Sequence, residues 1–127
     1  MTKFLLLRIR SFKHAFSGWW FVISTQKNSW VHMIATICVI VLSLWLKLPA
    51  RDWAILFVVI GMVWIAEFLN TALEAVVDLA SPSHHPLAKV GKDVGAAAVL
   101  IAAMVSVIAG LLIMGPPLLA KIAYLSK

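Results

Sequence analysis

Residues 53–78, WAILFVVIGMVWIAEFLNTALEAVVD, decide the fold. An uncharged apolar run comes first in this stretch, and a segment with three acids follows it. The first part, 53–66, contains no Asp, Glu, Lys or Arg, and Glu67 ends it. A second uncharged run, 68–73, follows that single acid. A helix needs about 20 mostly apolar residues to cross the hydrocarbon of a bilayer. The stretch therefore predicts a transmembrane helix over 53–77.

Two further stretches, 28–46 and 94–120, also carry no Asp, Glu, Lys or Arg. The second is longer than a bilayer requires, and we expect Gly115-Pro116-Pro117 to end its helix, because proline lacks an N–H and clashes with the preceding turn. The sequence therefore predicts one membrane domain, 1–127, that is all-α. Its transmembrane helices are expected over 29–48, 53–77 and 94–114.

Basic and apolar side chains are mixed in residues 3–24, ahead of the first predicted span. Aromatic residues such as Phe16 and Trp19 alternate with cations such as Arg10 and Lys13. This mixture is typical of an amphipathic helix that lies on a membrane surface. A solvated N-terminal arm is the alternative, although it would expose several aromatic side chains to water.

The bulk composition supports a membrane protein. Of 127 residues, 63% are hydrophobic and 13% are charged, against about 25% charged in soluble domains. This excludes a disordered chain and a typical soluble enzyme. The net charge of +6 comes from basic residues that flank apolar runs, which argues against a nucleic-acid-binding stripe. Seven of these cations would share one side and four the other, which predicts a cytoplasmic N-terminus and a cytoplasmic 79–93 loop.

Four polar residues form one stripe on the second predicted span. Glu67, Asn70, Glu74 and Asp78 are spaced 3, 4 and 4 apart, which keeps them within about 80° of one helix face. Measured from Trp53, Glu67 lies roughly 21 Å and Glu74 roughly 32 Å along the helix. Glu74 is therefore expected at the cytoplasmic interface and Glu67 inside it. An acid inside a membrane usually serves function, and an inter-helix hydrogen bond or ion pair is the alternative.

The chemistry of this stripe suits a divalent cation, because Mg²⁺ prefers oxygen ligands and shares one or two carboxylates with phosphates. Lys92 and Asp93 are expected to begin the third span on the same side, where a lysine and a helix N-terminus favour an anion. They could equally just flank the span. There is no G-x-x-x-x-G-K-[ST] motif, and His84-His85 are expected to be solvated. The residues alone thus predict an acidic, cation-binding site.

The dodecapeptide 67–78, EFLNTALEAVVD, matches in full the pattern E-x-x-N-[ST]-A-[IL]-E-x-x-V-D. It resembles the signature of the small prokaryotic diacylglycerol kinase and undecaprenol kinase family. The segments 85–88 (HPLA) and 92–99 (KDVGAAAV) resemble that family's next block, and 11–18 (SFKHAFSG) resembles its amphipathic-helix motif. The resemblance covers residues 10–114 without gaps.

This resemblance implies a homotrimer in the bacterial inner membrane that transfers the γ-phosphate of ATP to a lipid hydroxyl with Mg²⁺. By position it implies that Glu67 is the general base, with Asn70 orienting groups beside it. Glu74 would ligate Mg²⁺ together with Gln26. Glu67 and Ala96 would contact the lipid. The implied nucleotide contacts are His14, Gln26, Glu74, Ser83, His84, His85, Lys92 and Asp93.

Three departures from the family pattern matter. Gln26 stands where many members have a second metal-binding glutamate, and His14 stands where some have an adenine-stacking aromatic residue. Gly110 replaces a late tryptophan of diacylglycerol-specific members, which favours undecaprenol over diacylglycerol as the lipid. The alternatives are a non-enzymatic ion or proton conduit, a scaffold, and an inactive family member.

Overall fold

The computed structural model describes residues 2–81, 83 and 85–126. This part of the chain consists of four α-helices and no strand: α1 (Thr2–Thr25), α2 (Lys27–Leu46), α3 (Ala50–Ala80) and α4 (Pro86–Leu125). The predicted all-α class with three long apolar helices and an N-terminal helix is confirmed. Helices α3 and α4 form the main antiparallel pair, and α1 and α2 pack beside them.

The backbone geometry of Gln26 and Lys47 marks the two ends of α2. Gln26 alone separates α1 from α2, and its extended backbone (φ −95°, ψ 117°) turns the chain. Lys47 takes the left-handed conformation (φ 56°), and the N–H groups of Lys47 and Leu48 donate to carbonyls of the last turn of α2. This Schellman cap ends α2 before Pro49, which precedes the first residue of α3.

Helix α4 begins earlier than the sequence predicts. His85 caps it by accepting a hydrogen bond at Nδ1 from the N–H of Leu87 (3.2 Å), and Pro86 occupies the first turn. Proline is well suited to that position, because the first N–H groups of a helix have no intrahelical partner. The expectation that Lys92 and Asp93 begin this helix is therefore wrong. Both lie in its second turn, in a helix that already starts at Pro86.

The predicted end of the third span is also wrong as a helix boundary. Gly115, Pro116 and Pro117 lie inside α4, which continues to Leu125. Two prolines remove two N–H donors but do not prevent the following residues from forming their own bonds. The continued segment is attached to α2, because Lys121 Nζ donates to the Trp45 carbonyl (2.6 Å) and lies 4.1 Å from the Trp45 ring centroid. A cation over an indole ring is an attractive contact.

The core includes a buried stripe on one face of α3. The buried residues of α3 are spaced 3, 4, 4 and 4 apart, as one face of a helix requires: Leu56, Val59, Val63, Glu67 and Thr71. The buried residues of α4 are mostly small, which lets the two backbones approach closely: Gly95, Val99, Ala102 and Gly110. Glu67 thus occupies a core position in a stripe that is otherwise apolar or weakly polar.

Three helices, α2, α3 and α4, are long and apolar enough to cross a membrane. Only 11% of the most apolar window of α2, 28% of that of α3 and 22% of that of α4 is buried within the chain. The remaining apolar side chains face outward, so lipid or other subunits must cover them. Gln26 and Glu74 mark one end of this bundle, called here the site end, and Trp45 and Lys121 mark the far end.

Candidate functional site

Glu67 is the most buried ionisable residue of the site, with 2% of its surface exposed. Its Oε1 accepts a hydrogen bond from the hydroxyl of Ser29 on α2 (3.2 Å), and Ser29 is fully buried. Its Oε2 has no hydrogen-bond partner among the described residues and lies 3.8 Å from His32 Nε2. A buried carboxylate with one fixed and one available oxygen is suited to accept a proton from a group placed beside it.

Glu74 lies two turns further along α3, at the site end. Its Oε1 accepts from Asn70 Nδ2 (3.3 Å), and its Oε2 accepts from Gln26 Nε2 (3.5 Å). The structure therefore brings Gln26, the residue between α1 and α2, into contact with Glu74, the carboxylate with which the family resemblance pairs it as a metal ligand. Asn70 connects Glu74 to the level of Glu67 along the same helix face.

Asn70 is held by an unusually close approach of α4. Its Oδ1 is buried without a hydrogen-bond partner among the described residues and faces Gly95. A methyl group at residue 95 would collide with this Oδ1 and would lie 3.2 Å from Leu73 Cδ2. Gly95 is therefore required because a side chain would displace the Asn70 carboxamide that contacts Glu74.

The stripe passes from a buried to an exposed environment. Glu67 is buried, Asn70 and Glu74 are partly exposed, and the Asp78 side chain is 65% exposed. Glu67, Asn70 and Glu74 line one cavity of about 270 Å³ together with Gln26 and Ala96. The exposure of the stripe within the chain thus increases toward the site end. The cavity brings five predicted site residues around one space, and Glu67 is the most buried of them.

A second, larger groove of about 690 Å³ lies at the site end between α3 and α4. Lys92 Nζ forms an ion pair with Asp78 (2.6 Å) at this groove. The hydrogen bond from Lys92 to Asp78 raises the pKa of the lysine above its ordinary value, with smaller electrostatic contributions from Asp78 and Glu74. An ammonium group is already charged at neutral pH at its ordinary pKa of about 10.4, and here that charge is paired with Asp78.

Most of the remaining predicted nucleotide contacts lie at the larger groove, and His14 does not. Ser83, His85, Lys92 and Asp93 all line the larger groove. His85 uses Nδ1 to cap α4, so in its neutral form Nε2 carries the proton and faces outward as a donor. His14 is exposed on α1 and lines neither cavity. His84 lies outside the described residues.

Ser29 and His32 are the site residues that the sequence reasoning missed. A signal for them exists, because four polar residues of α2 that follow Lys27 and Asn28 recur at spacings of 3, 4 and 7, within about 60° of one face: Ser29, His32, Thr36 and Ser43. Ser29 and Ser43 are fully buried. Such a stripe in an apolar helix indicates the face that packs against other helices, here the face that contacts Glu67.

The donor set at Glu74 can be compared with what a metal ion needs. Among residues 2–81, 83 and 85–126, no three His, Cys, Asp or Glu side chains are grouped closely enough to hold a metal. Glu74 supplies carboxylate oxygens, and the neighbouring Gln26 and Asn70 supply carboxamides. This set fits Mg²⁺, which binds one or two carboxylates and completes its shell with waters and substrate phosphates.

Known proteins are similar to the chain over most of its length. A family profile described as prokaryotic diacylglycerol kinase matches residues 13–114. An undecaprenol kinase of Bacillus subtilis (strain 168) is 42% identical over 109 residues, which cover 86% of this chain and 89% of the relative. A diacylglycerol kinase of Synechocystis is 44% identical over 110 residues, and one of Escherichia coli K12 is 41% identical over 75. The matched residues cover 63% and 62% of those two relatives.

The close packing of Gly95 against Asn70 generates the first prediction. Gly95→Ala is expected to destabilise the bundle by about 1–3 kcal/mol, because its methyl group overlaps the Asn70 carboxamide. The thermal midpoint in detergent measures this loss. Adding Asn70→Ala should recover part of it, since the overlap is then removed.

Gly61→Ala is the matched control, because no atom of the described residues lies within 4 Å of the methyl group it would add. Helical glycine is about 0.5–1 kcal/mol less favourable than alanine, so this variant should be slightly more stable than the original chain. If Gly95→Ala is as stable as Gly61→Ala, the close approach of α4 to Asn70 is refuted.

Proposed function

The chain belongs to the prokaryotic diacylglycerol kinase family, and on that membership and the burial of Glu67 we propose that it transfers the γ-phosphate of Mg-ATP to the hydroxyl of a membrane lipid. The predicted family and the enzyme class, a lipid kinase, are thereby confirmed. Undecaprenol is the proposed lipid and diacylglycerol the second candidate. The presence of Gly110 supports this order, whereas the relatives do not separate the two lipids, because an undecaprenol kinase and a diacylglycerol kinase are 42% and 44% identical to the chain.

The observation that carries the proposal is the position of two acids on one face of α3. Glu67 is buried and Glu74 is partly exposed, and both line one cavity at the site end. A lipid hydroxyl lies near the membrane interface, whereas ATP approaches from water. A site for both therefore needs one acid just inside the apolar region and a second acid at its edge, and the stripe provides this arrangement.

In the proposed reaction the lipid hydroxyl oxygen forms a bond to the γ-phosphorus as the bond to the β-phosphate oxygen breaks and ADP leaves. Glu67 Oε2 accepts the hydroxyl proton, because Ser29 fixes Oε1 and leaves Oε2 available. A positioned general base contributes about 10²–10⁴-fold to such a step. The helices position the reactants, which accounts for much of the catalysis of phosphoryl transfer.

Mg²⁺, when bound, would neutralise the charge of the phosphates. Glu74 would hold it together with Gln26, the second ligand that the family resemblance implies, and Asn70, which donates a hydrogen bond to Glu74, would fix the orientation of that carboxylate. Lys92 would bind a phosphate as a charged donor at the larger groove, with Ser83, His85 and Asp93 around the rest of the nucleotide. His84 and His14 are proposed as further nucleotide contacts on the family resemblance alone.

We also propose how the chain assembles and how it is oriented in the membrane. A homotrimer in the bacterial inner membrane, with the site end in the cytoplasm, is supported by the seven cations expected on that side and by the outward-facing apolar helices. Subunits of the same chain or lipid would cover those helix faces. Cytoplasmic ATP would then reach the larger groove directly.

The spacing of the polar residues on α2 argues against an ion or proton conduit. Thr36 and Ser43 are seven residues apart, which is about 10 Å along a helix. Over that interval the buried residues of α3 that face inward are apolar, as Val59 and Val63 show. A continuous polar path through the described bundle is thus interrupted, which favours the kinase over the conduit.

A lipid panel tests the function. The purified chain in micelles, given ATP labelled at the γ-phosphate, is expected to label undecaprenol and, more weakly, diacylglycerol. Glu67→Gln should lower turnover about 10²–10⁴-fold while ATP binding persists. Asp52→Asn is the matched control, since it makes the same change in the first turn of α3 at the far end.

Absence of labelling for every lipid would overturn the proposed function, and ion flux in liposomes without ATP would then support the conduit. Normal turnover in Glu67→Gln would remove Glu67 from its role as the base. A loss of turnover in Asp52→Asn equal to that in Glu67→Gln would show that the assay reports on charge or folding rather than on the site.

Gln26→Glu tests the metal site. A second carboxylate beside Glu74 should lower the Mg²⁺ concentration needed for half-maximal turnover by roughly three- to tenfold, because hard cations prefer charged oxygen ligands. Without metal, two adjacent carboxylates repel each other, so its thermal midpoint in EDTA should fall below that of the original chain and recover with Mg²⁺. An unchanged Mg²⁺ requirement together with an unchanged midpoint would show that no metal binds between residues 26 and 74.

A further inference from the structure

We propose that His32 is a positioning residue for the Glu67 carboxylate, an assignment that rests on the proposed kinase function. Its Nε2 lies 3.8 Å from Glu67 Oε2, and its side chain is 15% exposed. Both of these atoms are buried and lack a hydrogen-bond partner among the described residues. A buried donor and a buried acceptor that face each other at this distance form a pair that a small movement completes.

The two oxygens of Glu67 are approached from a single face of α2. Ser29 donates to Oε1 at 3.2 Å, and His32, three residues later, faces Oε2. Residues three apart on a helix point to the same side. With its proton on Nε2, His32 therefore supplies the second of two donors that define the plane of the carboxylate, and Oε2 keeps a second lone pair for the proton of the lipid hydroxyl. Neither donor comes from α3, the helix that carries Glu67.

His32 is itself held by contacts that leave Nε2 directed at the carboxylate. Its ring meets the edge of Trp64 with centroids 6.5 Å apart and an interplanar angle of 70°. Trp64 Nε1 donates to Thr36 Oγ1 (3.2 Å), which in turn donates to the His32 carbonyl (2.7 Å). Trp64 is one turn before Glu67 on α3, so these contacts fix α2 against α3 beside the acid.

The other groups around His32 do not compete for this role. The cavity shared by His32 and Glu67 is lined on the α4 side by apolar residues only: Ala96, Val99, Leu100 and Ala103. Glu74 is the other acid that lines it, and its carboxylate oxygens accept from Asn70 and Gln26. Glu67 is therefore the carboxylate that the geometry assigns to His32.

A positioning role has a kinetic signature that packing alone does not share. A general base acts only when its oxygen is held at the right place and angle, so a loosened carboxylate slows the chemical step without weakening nucleotide binding. Removal of the His32 donor is thus expected to lower kcat and leave the KM for ATP unchanged. Replacement by another side chain with an N–H at the same reach should restore kcat.

The experiment compares His32→Phe with His32→Gln in the labelled-ATP assay. Phenylalanine keeps a ring against Trp64 but has no donor, and we expect kcat to fall roughly 10- to 100-fold with the KM for ATP within a factor of about two. Glutamine carries an amide N–H at a position comparable to Nε2 and should keep kcat within about threefold of the original chain.

Ser43→Ala is the packing control, because it removes a fully buried hydroxyl of the same helix, which donates to Met114 Sδ at the far end, and leaves His32 and both donors to Glu67 unchanged. Its kcat should stay within about threefold of the original chain, and the thermal midpoints of all variants should be compared in the same detergent. Equal losses of kcat in His32→Phe, His32→Gln and Ser43→Ala would assign His32 to packing and overturn the proposal.

Two results separate this assignment from the proposed function. If the original chain labels a lipid and His32→Phe labels it at the same rate, the positioning role alone is wrong. If the original chain labels no lipid at all, the kinase function is wrong and the role of His32 in it falls with it. A rise in the KM for ATP without a change in kcat would place His32 at the nucleotide instead and overturn the proposal.

Discussion

The hydrogen bond from Ser29 to Glu67 joins α2 to α3 at the point where the core of the bundle contains a carboxylate. Glu67 follows Leu56, Val59 and Val63 in the buried stripe of α3, so the packing that holds α3 in place also encloses the acid. An isolated carboxylate in such a position would be strongly unfavourable, because charge is poorly solvated in an apolar environment. The hydrogen bond donated by Ser29 on α2 offsets part of this unfavourable free energy. It also fixes the position of α2 against α3.

The same constraint explains why small residues occur in α4 at the site end. Asn70 and Glu74 must share a face with Glu67, and the helix opposite them has to leave room for their side chains. Gly95 provides that room, and its absence of a side chain lets the Asn70 carboxamide remain in contact with Glu74. The far end has no such requirement. There the contacts are a cation over an indole ring and a hydroxyl–thioether pair, which secure the helices.

Much of the fold could be predicted from hydropathy, because an apolar stretch of sufficient length has few alternatives to a membrane helix. The acid stripe followed from the helical period, which puts Glu67, Asn70 and Glu74 on one face of α3. The continuation of α4 past Pro116 and Pro117 could not be predicted, since it depends on Lys121 reaching Trp45 on another helix. The partners of Glu67 were missed for a similar reason: Ser29 and His32 are 38 and 35 residues away in sequence, and only the packing of α2 brings them to the acid.

The central claim is that the Glu67 carboxylate is the reacting acid and that α2 acts through it. A double-mutant cycle in turnover between Ser29→Ala and Glu67→Asp tests this most directly. The shorter aspartate side chain keeps a carboxylate but draws it away from Ser29. The account predicts that Ser29→Ala lowers kcat roughly tenfold in the original chain and has little further effect when Glu67→Asp is present. Equal effects of Ser29→Ala in both backgrounds would contradict the claim, because Ser29 would then act independently of the acid.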